Sequence, residues 1–467
     1  MNTNNIKMIY TIFIFTALAA FDNIIIGLFP PLFSSIAKDM NVPISSLGII
    51  SAVNILVTSF SSILWGYLAG KFNRKLLIII GTIIWSLFVL LTSHCSSYAQ
   101  FFIFQVFTGI GLGCIASIGF SILTDYIPNK YRGMMLSLWG MAQGFGGISG
   151  SLMASLMASF TSWREPFEIV GIIGFFLIIL YFFIKEPVMG ESEPEVQKLI
   201  SEGHEYNYNI EFNHLPNIIL KKSDMLLFLQ AFFMNITIGT LIWMPTLYIS
   251  KIEQYGYSPK VSIIAAGYLF ALFQIGGLIS PLFGHIGDIL QKKTYKGRAI
   301  LTSYIIFAMI PFYIAVFVLP VKSLVLPQNN DPLLILIYLL KEVIVNPWIF
   351  MLFIFSFFAS ALQSANTPNW LALITDVNLP EHRGTAFSIA NLANGLGRTI
   401  GNAGVGILIS TIFVHIREPK NYIITLCLFQ VSLIPSALIY MKMAKNNVKD
   451  IKEVKETLFK RAKGSAM

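Results

Sequence analysis

Two charged side chains stand deep inside apolar stretches of this chain, and both types can do chemistry there. Asp22 lies within an apolar run from about residue 8 to 37. A charged Asp at the centre of a bilayer costs about 2.5–3.5 kcal/mol on insertion scales. The cost falls when the group takes a proton or faces a water-filled cavity, so Asp22 is a candidate for binding and releasing a proton. The alternative is a structural hydrogen bond between helices. Arg398 is the other deep charge. It can bind an anionic group, pair with Asp22, or snorkel to the interface. The amides of Gln105, Asn235, Gln363, Asn366 and Asn369 also interrupt apolar runs, where an amide faces either a cavity or another helix.

Other chemistries find no support. No nucleophile, base and acid converge in a readable motif, so no enzyme is expected. The histidines share no ligand spacing and the three cysteines are far apart, which speaks against a metal site. The glycines of Gly109-x-Gly111-x-Gly113 and of 144–150 lie inside apolar runs with no preceding strand. They fail the context of a nucleotide loop, and Gly146-x-x-x-Gly150 reads as close helix packing. No Walker pattern occurs, and no cofactor is expected.

The elements that must hold these residues are membrane helices. Only 12% of the 467 residues are charged and 55% are hydrophobic, against about 25% charged in soluble domains. Runs of about 20 apolar residues mark spans. Twelve occur, near 8–37, 46–69, 75–94, 98–126, 134–160, 164–184, 225–250, 260–287, 299–320, 347–375, 385–414 and 421–443. The net charge of +9 sits in loops and tail, so the expected partner is an anionic membrane face and not nucleic acid. Lys71, Arg74, Lys75, Lys130, Arg132, Lys292, Lys293 and Arg383 share one side with the basic tail 444–467. The positive-inside rule then places both termini in the cytoplasm. With no targeting motif, the plasma membrane is the default.

A polar segment, 185–224, divides the spans six and six. The halves repeat: Asp125, Arg132, Gly133, Ser137, Gly144, Gly146 and Gly150 recur 251 residues later as Asp376, Arg383, Gly384, Ser388, Gly395, Gly397 and Gly401. Ser62–Gly66 resembles Ser280–Gly284 at an offset of 218. The second half therefore carries about 33 extra residues, placed near 321–346 as an extracellular excursion. The expected domains are a six-helix bundle at 1–184, the linker, and a second bundle at 225–443. Two like-oriented halves are the architecture of a rocking transporter with its site between them. Pro368 is expected to break the tenth span locally. In the tail, Val448, Ile451, Val454 and Leu458 fall near one helical face, which suits a membrane-surface helix or a solvated tail.

These residues resemble the major facilitator superfamily. Its signature G-x-x-x-D-x-x-G-R-[RK] appears as Gly66-Tyr-Leu-Ala-Gly70-Lys-Phe-Asn73-Arg74-Lys75, and again from Gly284 through Asp288 to Lys292-Lys293. Gly70 replaces the first aspartate. Gly66-Tyr-Leu…Asn73-Arg74-Lys75, Glu186-Pro187, Trp243-x-Pro245 and Phe21-Asp22 further resemble the Spinster branch. That branch carries a proton-coupling aspartate at the Asp22 position and two charges in the fourth span, here Gln105 and Leu112. The resemblance implies an all-α membrane fold of twelve helices in two bundles, with spans one, four, seven and ten lining the cavity. It implies gating by Gly66, Arg74, Lys75, Asp125, Arg132, Gly284, Asp288, Lys292, Asp376 and Arg383, with Asp125/Arg132 and Asp376/Arg383 as pairs. The expected function is alternating-access transport of a small organic or amphipathic solute, coupled to protons, by a monomer. An uncoupled facilitator and a non-transporting receptor on the same fold are the alternatives.

Overall fold

A computed structural model describes residues 3–126, 132–183 and 215–464. Most of the linker 185–224 lies outside the described residues. The first half comprises α1 (Thr3–Met40), α2 (Ile44–Ala69), α3 (Arg74–Ser93), α4 (Tyr98–Cys114, continued by a π turn and Phe120–Tyr126), α5 (Arg132–Phe160) and α6 (Glu165–Tyr181). The second comprises α7 (Lys222–Glu253), α8 (Pro259–Lys293), α9 (Gly297–Val318), α10 (Pro332–Val345), α11 (Pro347–Val377), α12 (Pro380–Thr411) and α13 (Lys420–Phe429, a 3-10 turn, then Leu433–Gly464).

Local chemistry sets the helix ends. Asn73, Ser97, Ser258 and Asp331 each accept a backbone N–H of the following helix with a side-chain oxygen, the usual answer to unpaired donors at an N-terminus. Prolines mark the irregularities. Pro245 follows the 3-10 turn at Leu241–Trp243 inside α7, where a missing N–H loosens the ladder. Helix α11, by contrast, runs unbroken across Pro368, contrary to the local break expected from sequence. The carbonyl of Ser364, four residues back, accepts the Ser280 hydroxyl at 3.1 Å instead. A neighbouring helix supplies the bond that proline removes.

Nine of the helices are, among the described residues, long and apolar enough by themselves to cross a membrane. The glycine-rich α5 and α12 are not among them, because each is wedged between other helices: α5 between α1 and α8, α12 between α7 and α2. The wedging follows the repeat. A Cβ on Gly146 would lie 2.1 Å from the Ala20 carbonyl oxygen, and one on Gly397 2.3 Å from that of Phe232. Side chains larger than hydrogen would push α5 off α1 and α12 off α7. Gly146 and Gly150 are thus packing residues, as read from sequence, whereas a Cβ on Gly144 would meet nothing within 4 Å.

Two ends of the bundle are distinct. The motif end holds Gly66, Arg74, Asp125 and Asp288. The far end holds the loops after α1, α7 and α9. At the motif end α13 continues well past its apolar part. Its Ile451, Val454 and Leu458 are buried, Asn447 donates to the Tyr295 carbonyl at 2.8 Å and Lys455 to the Tyr295 hydroxyl at 3.2 Å. The apolar face of the tail therefore packs on the protein rather than on a membrane surface or into solvent. Intramolecular contact wins because the α8–α9 loop offers both an aromatic ring and a free carbonyl.

Candidate functional site

A cavity of about 140 Å³ lies between the halves. Helix α1 contributes Asp22, α2 contributes Asn54, Thr58 and Ser62, and α7 contributes Gln230 and Asn235. Asn366 and Trp370 come from α11, and Asn391, Asn394 and Arg398 from α12. Its size is close to the ~150 Å³ cavity that holds one benzene ring in an engineered protein interior. It is lined by amides, hydroxyls and two opposite charges, interleaved with apolar side chains such as Ile26, Leu112, Ile238 and Phe387.

The two charges come from opposite halves. Asp22 and Arg398 are each other's charged neighbours, yet no ion pair within 4.0 Å joins them among the described contacts. The Oδ1 of Asp22 is buried without a hydrogen-bond partner. Arg398 donates Nε to Asn235 Oδ1 at 2.9 Å. Asn235 in turn donates to Asn394 Oδ1 at 2.6 Å, and Asn394 to Asn391 Oδ1 at 3.4 Å. This chain of amides fixes the guanidinium through one nitrogen and leaves its forked terminal amino groups for the cavity. Such a fork matches a carboxylate in geometry.

The repeat explains where Arg398 stands. It is the counterpart of Gly147, and both abut a glycine of the helix beside them. A Cβ on Gly27 would lie 2.8 Å from the Gly147 carbonyl oxygen, and one on Gly239 2.2 Å from that of Arg398. In the first half the space above Gly147 is taken by Gln274 of α8, whose Nε2 would lie 2.6 Å from a Cβ there. One half presents a cation where the other presents a bare backbone.

Of the sequence-derived cavity residues, Asp22, Asn235, Asn366 and Arg398 come together. Three do not reach the cavity. Gln105 accepts from Asn54 Nδ2 and donates to Thr92 Oγ1 at 3.1 Å. Gln363 accepts from the Tyr313 hydroxyl. Asn369 donates to the Ala365 carbonyl at 2.9 Å and to that of Phe283 at 3.4 Å. All three join helix to helix, which can satisfy a buried amide as well as a ligand does, although Asn369 Oδ1 is left buried without a partner. Asn366 also has protein partners, accepting from Gln230 at 3.3 Å and from the Tyr440 hydroxyl at 3.0 Å. Sequence reasoning missed Asn54, Thr58, Ser62, Gln230, Asn391 and Asn394. Two of the helices carried a usable signal: Asn54, Thr58 and Ser62 are spaced four apart, and Asn391, Asn394 and Arg398 three and four apart, so each set forms one polar stripe.

At the motif end three aspartates hold two arginines. Arg74 meets Asp125 at 2.8 Å, and Arg298 meets Asp288 at 2.5 Å and Asp376 at 3.7 Å. Gln291 donates to Asp376 at 3.3 Å. The expected partner of Asp376 was Arg383. Instead Arg383 donates to the Thr375 carbonyl, and the first turn of α9 delivers Arg298, which no motif had singled out. The first turn of α3 delivers Arg74 in the same way. The side chain of Arg132 lies outside the described residues. Lys75 donates to the Phe182 carbonyl at 2.6 Å, and Lys292 is exposed. Gly70 caps α2, and a Cβ there would meet only the Tyr67 carbonyl oxygen at 3.5 Å.

Helices α2 and α12 close the halves on one another at both ends. A Cβ on Gly66 would lie 2.7 Å from Ser388 Oγ, Thr399 donates to the Ala52 carbonyl at 3.2 Å, and Gly406 lies beside Ser45 at the far end.

The family model described as Major Facilitator Superfamily matches residues 12–340 and 332–462. The protein spinster of Drosophila melanogaster is 28% identical over 164 residues, 34% of this chain and 27% of that protein. The benzoate transport protein of Acinetobacter baylyi is 22% identical over 322 residues, 62% of this chain and 66% of that one. A 4-hydroxybenzoate transporter of the same organism is 24% identical, covering 53% and 58%. The matched region thus spans about a quarter of the first relative and two thirds or less of the others. In structure, a bacterial homologue of the human lysosomal transporter Spinster, inward-facing and unoccupied, superposes with a TM-score of 0.64 at 19% identity, covering 95% of this chain and 98% of that one. Its inward-facing occupied form gives 0.62 at 17% identity, covering 94% and 97%. At such identity the likeness is one of fold.

Proposed function

The chain belongs to the major facilitator superfamily, a family of multi-pass membrane transporters, and from that premise we propose that it moves a small organic anion by alternating access with proton coupling at Asp22. The observation that carries this reading is the pair of opposite charges, one from each half, facing a single small cavity. A substrate carboxylate and the Asp22 carboxylate compete for one guanidinium. The cavity accommodates both most easily when one of them carries a proton, so substrate and proton travel together. The halves then rock about the site, exchanging contacts at the motif end for contacts at the far end.

Arg74, Asp125, Asp288, Arg298 and Asp376 serve as gate supports on this reading, and Gly66 as a closing contact. The basic loops support a cytoplasmic position for the motif end and both termini. The plasma membrane is the proposed location. The cavity volume favours a single-ring acid over a lipid, and two relatives are named for benzoate and hydroxybenzoate. The spinster match favours an amphipathic solute as the second reading.

The test is flux in proteoliposomes under an imposed pH difference, with benzoate and a lysolipid as trial solutes. Asp22→Asn is expected to abolish gradient-driven accumulation while sparing exchange of labelled for unlabelled solute. Full gradient-driven uptake by Asp22→Asn would leave an uncoupled facilitator as the better description. Absence of saturable flux for every solute class would favour a receptor.

A further inference from the structure

Helix α10 has a sequence that water does not suit. Its 14 residues, PLLILIYLLKEVIV, include only two charges. Glu342 is buried and accepts from Asn346 Nδ2 at 3.0 Å, so Lys341 is the one charge on its surface. Ile335 and Leu339 are fully buried, packed against α8 and α11. On the other side Leu333 is 65% exposed, Ile337 53%, Leu340 45% and Ile344 82%. Spacings of four, three and four make these one continuous apolar stripe. A helix apolar on all sides needs apolar surroundings on all sides.

Length decides which surroundings are available. At 1.5 Å per residue the helix is about 21 Å long, too short for a hydrocarbon core of about 30 Å. It is therefore no thirteenth span. Both of its ends are tied to the far end of the bundle. The Tyr268 hydroxyl of α8 donates to the Pro332 carbonyl at 3.2 Å. Asn346 donates to the carbonyls of Lys322 and Ser323, at 3.0 Å each, just beyond the end of α9 at Val318. Trp348, directly after the helix, is 37% exposed, and Tyr338 on it 36%. Aromatic residues of this kind sit at the membrane–water boundary.

We propose that α10 lies in the bilayer leaflet at the far end of the bundle, one face on α8 and α11 and the stripe Leu333–Ile337–Leu340–Ile344 against lipid acyl chains. Continuity selects this occupant. Helix α10 packs on α11, whose first turn carries the exposed apolar residues Phe350 and Met351, and the membrane that covers those residues covers the stripe beside them. Lys341 reaches from the helix to the headgroups. The polar turn Gln328–Asp331, exposed throughout, stays in water.

The experiment uses the full chain in phosphatidylcholine vesicles. A bimane fluorophore is attached at Leu340→Cys or Ile344→Cys, with Gln328→Cys as the reference for water. Lipids with a doxyl quencher on the acyl chain are compared with aqueous iodide. The proposal expects doxyl lipid to quench bimane at residues 340 and 344 about threefold or more over iodide, and the reverse order at residue 328. Dominant quenching by iodide at 340 and 344 would overturn it in favour of a water-facing helix. Shielding from both quenchers, with energy transfer between labelled copies, would overturn it in favour of a second copy as occupant.

Discussion

A disulfide across the α2–α12 seam offers a direct test of rocking. A Cβ built on Gly66 would lie 3.8 Å from Ser388 Cβ, near the mean of about 3.8 Å found in natural disulfides. Gly66→Cys with Ser388→Cys should therefore form a bond without backbone movement. The bond holds the two Cα atoms within about 7 Å, whereas opening the motif end requires α2 and α12 to part. Once the bond has formed, flux should fall in proportion to the fraction crosslinked and reach the vesicle background at completion. A thiol reductant should restore it. Two of the three native thiols interfere little, and the half-buried Cys427 is replaced by serine in the background. Cys95 and Cys114 are buried, and burial pushes the Cys95 thiol up to about 11, so little of it is thiolate at neutral pH. The assay is solute uptake by vesicles before and after oxidation, with crosslinking verified by an electrophoretic shift after cleavage of the linker. Unimpaired flux at verified full crosslinking would refute rigid-body rocking at this seam.

Three further outcomes are expected. Arg398→Gln should weaken benzoate binding roughly 10- to 150-fold, the equivalent of about 1.5–3 kcal/mol for charge-assisted hydrogen bonds, and leave binding of a neutral analogue within a factor of two; equal benzoate affinity by calorimetry would remove the anion reading. Gly239→Val should lower the melting temperature, because its Cβ would stand 2.2 Å from the Arg398 carbonyl oxygen and overpacking costs about 1–3 kcal/mol; an unchanged melting curve would show that α7 and α12 tolerate separation. Asp288→Ala strands the buried Arg298 and should cost about 3–5 kcal/mol, with partial recovery when Arg298→Met is added; full stability of the single variant would mean that Asp376 alone suffices.

Several elements were legible from residue order because lipid imposes a one-dimensional rule. A helix facing hydrocarbon must be apolar over its whole length, so the spans stand out. The seven pairs at offset 251 are legible for a related reason. Gly146 and Gly150 seat α5 on α1, and their repeats Gly397 and Gly401 seat α12 on α7. Asp22 and Arg398 were visible as candidates because a charge in a span is costly enough to be conspicuous. The amides were harder. A buried amide is satisfied by a cavity or by a neighbouring helix, and nothing along the chain distinguishes the two. Gln105, Gln363 and Asn369 went one way, Asn235 and Asn366 the other. The stripes on α2 and α12 would have been better guides than single residues, since a row on one face must face something polar.

The sequence by itself determined the membrane class, the helical repeat and the two deep charges, because each depends on composition or spacing along the chain. Tertiary structure alone decided that Asp22 and Arg398 share a cavity without touching, that Arg298 serves Asp288 and Asp376, that Ser280 repairs the gap left by Pro368, and that the tail packs on Tyr295. Each of these joins residues far apart in the chain. Which of several chemically adequate partners a polar group takes is settled by the positions of the helices, and those positions follow from packing that residue order does not display.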